Sequence, residues 1–256
     1  MIPETSARSA ACRAGDSPWP DQLARMGFAI VSGVIEPGVV LELIQALEAL
    51  PPEGAILERG GQVYAMRNLL HLVPASRALA ESDALKRLTR SVLGPDAFVV
   101  RGLLFDKTPE ANWGVPWHQD LTIAIKQARP EAPGYGPWSR KGNIPHVQPP
   151  VSVLEQMLTV RVHLDDSQEG SGPLRVIPRS HAAGRLDATA TREWLGRVPP
   201  ETCLVPRGGA LLMRPLLLHA SSPAESPGRR RVLHLEYAAG PLPGGVDWFE
   251  SENRGS

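Results

Sequence analysis

The 256-residue chain has only two cysteines, Cys12 and Cys203. Two cysteines are too few for a disulfide scaffold, so we expect a reducing, cytoplasmic compartment. The sequence has no run of eighteen apolar residues, and we therefore expect a soluble protein without a membrane-spanning helix. Acidic and basic side chains balance at 27 each, which argues against a nucleic acid or a membrane surface as a partner held by charge.

The sequence also lacks internal repeats, and its N-terminus lacks the apolar segment of a secretory signal. Residues 1–20 are rich in serine, alanine and proline, and we expect a disordered leader there. The chain is long enough for one large domain, which we place at residues 21–250, with a short tail at 251–256. Nothing in the sequence indicates an oligomeric state.

Two segments in the first hundred residues have the spacing of helices. In residues 37–50 the apolar side chains recur on one face, and Pro37 suits a first helical turn. A second helix is predicted after Ser82, which can cap it, and before Gly94. A short apolar run at residues 27–31 indicates a strand between polar ends. This part of the chain therefore mixes helix and strand.

Proline and glycine are plentiful, at 26 and 24 residues, and both punctuate short strands rather than long helices. Five strands are predicted after residue 95, at residues 97–105, 157–164, 174–177, 210–218 and 230–237. No helical pattern separates most of them, which disfavours a parallel winding. We predict a mainly β protein with flanking helices, whose antiparallel strands form a barrel or jelly roll.

Residues 129–150 contain six prolines together with Tyr135 and Trp138. The segment is too long and irregular for a tight turn, so we predict a functional loop or a lid over the site. His146 lies in this loop and is expected to be exposed.

A histidine and a carboxylate lie two residues apart in Trp117-His118-Gln119-Asp120. On an extended strand, residues i and i+2 project from the same face, so both could reach one metal ion. His219 ends the apolar strand predicted at 210–218 and would supply a second imidazole. Two histidines and one carboxylate on one side of a metal are diagnostic of iron(II) oxygenases, because open positions remain for the co-substrate and dioxygen. His-x-Asp alone also occurs by chance, since most histidines are ordinary hydrogen-bonded residues.

A run of three arginines begins ten residues after the second histidine and leads into the last predicted strand. A 2-oxoglutarate molecule that chelates iron through its keto acid end needs a cation for its other carboxylate, and arginine pairs with carboxylates through two parallel hydrogen bonds. Alternation puts Arg230 on the same mixed face as His234 and Glu236. We therefore predict that Arg230 is the anchor and that Arg229 and Arg231 lie at a solvated strand start.

Five separated elements resemble, in this order, the phytanoyl-CoA dioxygenase family, which includes the ectoine hydroxylases. They are Trp117-His118-Gln119-Asp120, residues 162–166, residues 170–181, residues 208–221 and Arg230. The resemblance covers the C-terminal two-thirds of the chain, and residues 27–36 also resemble the family's opening strand.

The resemblance implies a double-stranded β-helix, a cupin-like jelly roll, with Fe(II) held by His118, Asp120 and His219. It implies 2-oxoglutarate and O2 as co-substrates, with an arginine eleven residues past the second histidine, which is Arg230 here. Ser221 matches a position that in some members helps to hold the co-substrate carboxylate. The implied activity is hydroxylation of a C–H bond in a small molecule, with release of succinate and CO2.

Three residues refine this expectation. Asp120 favours hydroxylation or desaturation over halogenation, because related halogenases have a small residue in its place. His181 looks like a metal ligand at first sight, but the resemblance implies a structural histidine. Arg179 stands where the family usually has glycine, which puts the local turn in doubt rather than the iron site.

Polar and aromatic groups near the predicted strands are the candidates for contact with the substrate. They are Arg67, Asn68, Tyr135, Trp138 and Arg161, with Arg140 and Lys141 in the same proline-rich loop as the two aromatics. Thr159 shares the inward face of its strand with Arg161 and is assigned to the co-substrate site. Arg161 is an inward charge that needs a partner, which could be an acidic substrate group or a neighbouring carboxylate.

Two other functions remain open. A cupin-like hydrolase or isomerase could use the same three ligands for zinc or manganese, without needing Arg230 or 2-oxoglutarate. A binding or regulatory module could have lost catalysis, although an intact triad and anchor argue against it. Dependence of turnover on 2-oxoglutarate separates the first alternative, and metal content after anaerobic purification tests the second.

Overall fold

The computed structural model describes residues 19–50, 56–59, 62–225 and 228–250. The predicted leader up to residue 18 and the predicted tail lie outside the described residues, so the domain boundaries stay a prediction. The helices of the described part are α1 (Trp19–Met26), α2 (Pro37–Glu48), α3 (Leu69–Leu72), α4 (Pro74–Ala80), α5 (Asp83–Leu93), α6 (Val151–Glu155) and α7 (Ala188–Arg197). Its strands are β1 (Phe28–Val31), β2 (Ile56–Arg59), β3 (Gln62–Met66), β4 (Ala97–Lys107), β5 (Val115–His118), β6 (Ile123–Ala124), β7 (Trp138–Lys141), β8 (Ile144–Val147), β9 (Leu158–His163), β10 (Leu174–Val176), β11 (Glu201–Cys203), β12 (Ala210–Met213), β13 (His219–Ser221) and β14 (Arg230–Ala239). Within these ranges, none of the helices has the length and apolarity needed to cross a bilayer.

Two predicted helices are confirmed, and their apolar faces cover the larger sheet. Val40 and Leu43 of α2 and Leu85 of α5 pack into one buried cluster with Leu233 and Leu235 of β14. Burying such an aliphatic side chain stabilises the fold by roughly 1.5–3 kcal/mol. The apolar stripe of each helix therefore determines which face of the sheet is closed to solvent.

Ser82 caps α5 as predicted, because its side chain accepts a hydrogen bond from the amide of Leu85 at 3.4 Å. Gly94, which follows the helix, has φ +90°. This is a backbone conformation that glycine adopts readily and other residues avoid. The helix therefore begins and ends where the sequence predicts.

Two antiparallel sheets face each other and form the jelly roll. In the described residues, the larger sheet has the order β1-β12-β9-β14-β4-β3-β2 and the smaller has the order β11-β10-β13-β5. The alternation predicted for β9 is confirmed. Val160 and Val162 pack towards the helices, whereas Arg161 projects into a cavity between the sheets. Leu233 of β14 faces the helices, and Arg230 and His234 project inwards.

The predicted single strand at residues 210–218 is wrong. Strand β12 ends at Met213, and His219 begins β13 in the opposite sheet. Pro215 lies in the connection, and a proline cannot donate the ladder hydrogen bond that a central strand requires. The apolar run therefore spans both sheets, and His219 opens a strand rather than ending one.

The proline-rich segment is less irregular than predicted. Strands β7 and β8 form a hairpin within it, and β6 joins them in a third, three-stranded sheet of the described residues. His146 is buried with 2% of its surface exposed, which corrects the expectation that it is exposed. Its Nδ1 lies 3.0 Å from the carbonyl oxygen of Ile144. Lid closure by this segment stays a prediction.

The turn at residues 178–181 forms with Arg179 in place of the family's glycine. Arg179 has φ +68°, a left-handed conformation that costs a residue with a Cβ about 1–2 kcal/mol. The ring of His181 packs against Gly27, which has φ +85° and follows α1. A Cβ on Gly27 would overlap the ring Nδ1 of His181 and would lie 2.9 Å from a methyl carbon of Leu217.

We predict that Gly27→Ala lowers the free energy of unfolding by roughly 2–5 kcal/mol, from left-handed strain and overpacking together. Removing the imidazole should relieve the overpacking, so His181→Ala combined with Gly27→Ala should cost less than the sum of the two single changes. Denaturant unfolding of all four proteins gives this coupling energy. Additive losses would show that the His181 ring does not pack against Gly27.

Candidate metal centre and its cavities

The pairing of β5 with β13 brings the two predicted imidazole ligands together. His118 and His219 are partners in the register, and their ring centroids lie 4.2 Å apart. Asp120 lies two residues past the end of His118's strand, and its backbone amide donates a 2.9 Å hydrogen bond to the carbonyl of Pro215. The carboxylate is thereby held beside the connection that leads into His219.

The three side chains have the arrangement that a metal ion requires. Among the described residues they form the one cluster of this type, with candidate ligand atoms all within 4.8 Å of one another. Nε2 of His118 lies 3.8 Å from Oδ1 of Asp120, and Nε2 of His219 lies 3.7 Å from Oδ2. Oδ2 is buried and has no hydrogen-bond partner in the described part of the chain. An ion between the three groups would satisfy it.

The tautomers of both histidines suit a metal as well. Nδ1 of His118 lies 2.8 Å from the carbonyl oxygen of Pro116, and Nδ1 of His219 lies 2.8 Å from that of Leu217. A carbonyl only accepts, so each Nδ1 carries the proton and each Nε2 offers a lone pair to an ion. Two imidazoles, one carboxylate and open positions form a donor set that fits non-haem iron(II).

Gln119, between the two ligands, points the other way and holds the ligand loop. Its side-chain amide donates to the carbonyls of Leu216 at 2.6 Å and Gly184 at 2.8 Å. Ser180 accepts a 2.8 Å hydrogen bond from the amide of Leu218. These contacts fix the backbone on either side of His219 without touching the metal position.

The protonation states of the triad agree with metal binding. Burial, outweighing the nearby Asp120 carboxylate, lowers the pKa of His219 to about 4, so this ring is neutral at pH 7. Burial alone would raise the pKa of Asp120, but the imidazoles of His219, His234 and His118 outweigh it and lower the pKa below its ordinary range. His219 is therefore neutral and Asp120 is charged, the states in which each can bind a divalent metal.

A cavity of about 170 Å³ adjoins the triad and is lined by three cations, Lys107, Arg161 and Arg230. Nε and Nη1 of Arg230 are buried without a hydrogen-bond partner among the described residues. Ser221 lines the same cavity, and its Oγ lies 3.4 Å from Nζ of Lys107. This volume is below the 300–1,000 Å³ of drug-sized sites, so the cavity suits a small anion.

Arg161 finds a neutral partner instead of the carboxylate that we considered. Its Nη1 donates to Nδ1 of His234 at 2.8 Å. Nε2 of His234 then donates to Glu236 at 3.3 Å, and Glu236 also pairs with Arg101 at 3.1 Å. Among the described residues, Arg161 forms no direct ion pair with a carboxylate. The small cavity therefore keeps its excess of positive charge.

Arg231 is buried rather than solvated, which corrects that expectation, whereas Arg229 is exposed as predicted. Arg231 is 8% exposed and pairs with Asp165 at 2.9 Å. Arg229 pairs with Asp106 at 2.9 Å and with Glu48 at 2.8 Å. Both arginines point away from the cavity that Arg230 lines.

A larger cavity of about 560 Å³ opens beside the same triad and contains Arg67, Arg101, Lys141 and Glu236 on its walls. Of the residues predicted for the substrate, Arg67 lines it, and Arg161 lines the smaller cavity instead. Asn68 lies in a separate narrow pocket and is the residue before α3.

The structure does not bring Tyr135, Trp138 or Thr159 to either cavity. Tyr135 and Trp138 stack with their ring centroids 6.3 Å apart and pack into an apolar cluster beneath the hairpin. Trp138 and Lys141 lie on opposite faces of β7, which is why only Lys141 reaches the cavity. Thr159 is fully buried, and its hydroxyl has no hydrogen-bond partner in the described residues.

Sequence reasoning missed Lys107 and Arg101, because residues 97–105 read as a continuous apolar strand. Counting every second residue would have found them, since Arg101, Leu103, Phe105 and Lys107 share one face of β4. All four line one or both of the two cavities.

Comparison with known proteins agrees with this geometry. The family described as Phytanoyl-CoA dioxygenase (PhyH) matches residues 23–232. L-proline trans-4-hydroxylase from Streptomyces griseoviridis is 24% identical over 228 residues, which are 77% of this chain and 77% of that protein.

Solved structures show the same fold at low identity. AviO1 from Streptomyces viridochromogenes Tue57 superposes with a TM-score of 0.63 at 21% identity, over 88% of this chain and 96% of that one. EctD from S. alaskensis with 2-oxoglutarate and 5-hydroxyectoine gives 0.67 at 18% identity, over 86% and 74%. The epimerase SnoN in complex with Fe3+, alpha ketoglutarate and nogalamycin RO gives 0.67 at 18% identity, over 89% and 86%.

We predict that His118→Ala, Asp120→Ala and His219→Ala each lower iron affinity by more than the 10–100-fold typical of losing an outer contact. Each side chain lies on or beside a strand already held by its ladder, so the fold should persist. Iron per chain after anaerobic reconstitution, with circular dichroism as the fold check, measures this. His181→Ala is the control, and it should lose stability but keep its iron. A triad variant with wild-type iron content under limiting iron would remove that residue from the ligand set.

Proposed function

We propose that this chain, which belongs to the phytanoyl-CoA dioxygenase family, is an Fe(II)- and 2-oxoglutarate-dependent dioxygenase that hydroxylates a C–H bond of a small-molecule substrate. The observation that carries the proposal is the adjacency of two features in one cavity. His118, Asp120 and His219 converge there, and Arg230, Lys107 and Arg161 line its walls. A triad needs no cations beside it for zinc chemistry, but a dicarboxylate co-substrate does.

In the proposed reaction, one oxygen atom of O2 enters the substrate C–H bond and the other enters succinate. The carbon lost from 2-oxoglutarate leaves as CO2, so the equation balances without a further reductant. Iron, when bound, supplies the activation of dioxygen that no side chain can perform. The protein supplies ligands, orientation and exclusion of water.

Each group in the small cavity has a proposed task. Arg230, with two unpartnered nitrogens, would pair with the distal carboxylate of 2-oxoglutarate. Ser221 and Lys107 would contribute further donors to the same carboxylate, since both line the cavity. Asp120 keeps the third ligand position occupied, which favours hydroxylation over transfer of a halide.

The relatives support a small-molecule substrate. L-proline trans-4-hydroxylase acts on a small molecule, and the EctD structure contains 5-hydroxyectoine. A cupin-like hydrolase or isomerase that does not use 2-oxoglutarate stays the alternative, but it does not explain why three cations line the smaller cavity.

The direct test is formation of succinate from 2-oxoglutarate, with small acids, amino acids and lipid-derived acids as candidate substrates. We expect the product to gain one oxygen atom from 18O-labelled O2. Turnover of any substrate without 2-oxoglutarate would support the alternative instead.

We predict that Arg230→Ala raises the Kd for 2-oxoglutarate by at least about tenfold, because a charged hydrogen bond contributes roughly 1.5–3 kcal/mol. Arg230→Lys should recover only part of the affinity, because an ammonium lacks the planar fork. Iron affinity should change little, since Arg230 is not in the triad. A titration of 2-oxoglutarate into each protein measures the effect.

Arg229→Ala and Arg231→Ala are the matched controls for this titration. Their ion pairs with Asp106 and Asp165 lie outside the cavity, so they should lower the melting temperature without changing the Kd for 2-oxoglutarate. All proteins are compared well below their melting temperatures. A large change in Kd for either control, with none for Arg230→Ala, would reverse the assignment.

We predict that 2-oxoglutarate binds more weakly as pH rises above 7. Burial, with Arg230 and Arg161 nearby, lowers the pKa of Lys107 to about 7. The dianion favours the charged amine, so the pKa of Lys107 rises in the complex and binding takes up a proton above pH 7. Affinity should fall by up to about tenfold per pH unit there. Calorimetry in buffers of different ionisation enthalpy measures the proton uptake, and Lys107→Gln should abolish it. Equal uptake in that variant would exclude Lys107 as the source.

A further inference from the structure

The larger cavity carries more positive charge than its own carboxylates neutralise. Arg67 follows β3, Arg101 lies in β4 and Lys141 ends β7, and all three line its walls. Apart from the candidate ligand Asp120, Glu236 is the acidic residue on those walls within the described chain. One carboxylate therefore faces three cations.

Glu236 is already engaged. Its Oε1 accepts from Arg101 at 3.1 Å and from His234 at 3.3 Å, and 6% of its side chain is exposed. In the described residues, no carboxylate lies within ion-pairing distance of Arg67 or Lys141. Lys141 is held in place by a neutral contact instead, a 2.9 Å hydrogen bond from Nζ to the hydroxyl of Thr122. Two half-buried cations thus converge on the cavity without a counter-ion.

The electrostatics agree with this geometry. Burial and then the charge of Arg101 lower the pKa of Lys141, and Arg67 lowers it further, while Glu236 and Asp120 offset part of the shift. Mutual repulsion of this kind is relieved by an anion placed between the cations. The remaining wall has an apolar part, formed by Met66, Leu103, Phe105 and Leu121, beside the polar Thr122, Gln148 and His234.

We propose that Arg67 and Lys141 form a carboxylate subsite, so that the substrate is a carboxylic acid whose apolar body lies between this subsite and the triad. A cavity of about 560 Å³ is within the range of drug-sized ligands and exceeds what a few heavy atoms need. A carboxylate suits the site better than a phosphate, because Asp120 and Glu236 line the same cavity and repel a dianion more strongly. This proposal rests on the proposed function in one respect, namely that the substrate reacts at an iron ion held by the triad.

Matched acids and amides test the subsite. The probes are 3-phenylpropanoate, 4-phenylbutanoate and 5-phenylpentanoate, their three primary carboxamides, and 3-phenylpropylphosphonate. Binding is measured by ligand-observed NMR on protein loaded with Zn(II) and saturating 2-oxoglutarate, so that no turnover occurs and the smaller cavity is filled. The variants are Arg67→Gln, Lys141→Gln and Lys141→Arg, with Arg140→Gln as the matched control. Arg140 precedes Lys141 on β7, is exposed, and donates to the carbonyl of Asn143 at 3.2 Å.

We expect at least one acid to bind wild-type protein about tenfold or more tightly than its amide. The acid-to-amide ratio should fall to about twofold in Arg67→Gln and Lys141→Gln, stay near wild type in Arg140→Gln, and recover partly in Lys141→Arg. The Kd for 2-oxoglutarate should not change in any of the four variants. An unchanged Kd would mean that the acid-to-amide ratio reports on the larger cavity and not on the smaller one.

Equal or undetectable binding of acids and amides to wild-type protein overturns the subsite, as does a ratio that survives both glutamine variants. Tighter binding of the phosphonate than of the matched carboxylate overturns the choice of anion. Failure of the Zn(II)-loaded wild-type protein to bind 2-oxoglutarate counts against the proposed function instead, so the two failures are distinguishable.

Discussion

The register between β5 and β13 is the constraint on which the candidate site depends. It sets His118 opposite His219 across one ladder, and Asp120 follows two residues later with its amide bonded to the connection before β13. A shift of one residue would turn one imidazole to the other face of the sheet. Gln119 and Ser180 hold that connection from behind, so the register and the loop support each other. The pairing of β5 with β13 in the smaller sheet therefore also assembles the ligands.

The second organising feature is the distribution of charge around the triad. The fold neutralises Arg229 and Arg231 with carboxylates outside the barrel, yet inside it gives Arg161 a neutral imidazole and gives Arg230 no hydrogen-bond partner among the described residues. Burying cations without carboxylates is costly, and such an arrangement persists where an anionic ligand completes it. The smaller cavity suits a dicarboxylate, and the larger one has its own pair of uncompensated cations. The two cavities meet at the triad, which places a bound acid and a co-substrate on two sides of one reacting centre.

Local pattern was sufficient for much of this account. The spacing of His118 and Asp120, the two-residue alternation of β9 and β14, and the cap at Ser82 all follow from rules that act over a few residues. The apolar run at 210–218 led to the wrong prediction of one strand, because hydrophobicity alone does not show that the chain crosses from one sheet to the other. Pro215 was a local signal against a single strand. Lys107 and Arg101 were not singled out, because their importance comes from strands that meet only in three dimensions. Arg161 required a partner by its burial, but only the register with β14 shows that the partner is His234.

Coupling between metal and co-substrate is the central claim, and anaerobic calorimetry tests it most directly. 2-Oxoglutarate is titrated into wild-type protein reconstituted with Fe(II) and into the same protein without metal. Chelation at the triad together with anchoring in the cation-lined cavity predicts one 2-oxoglutarate per iron-loaded chain, with binding at least about tenfold weaker when the metal is absent. Equal affinity in the two states, or no binding to the iron-loaded protein, would contradict the account.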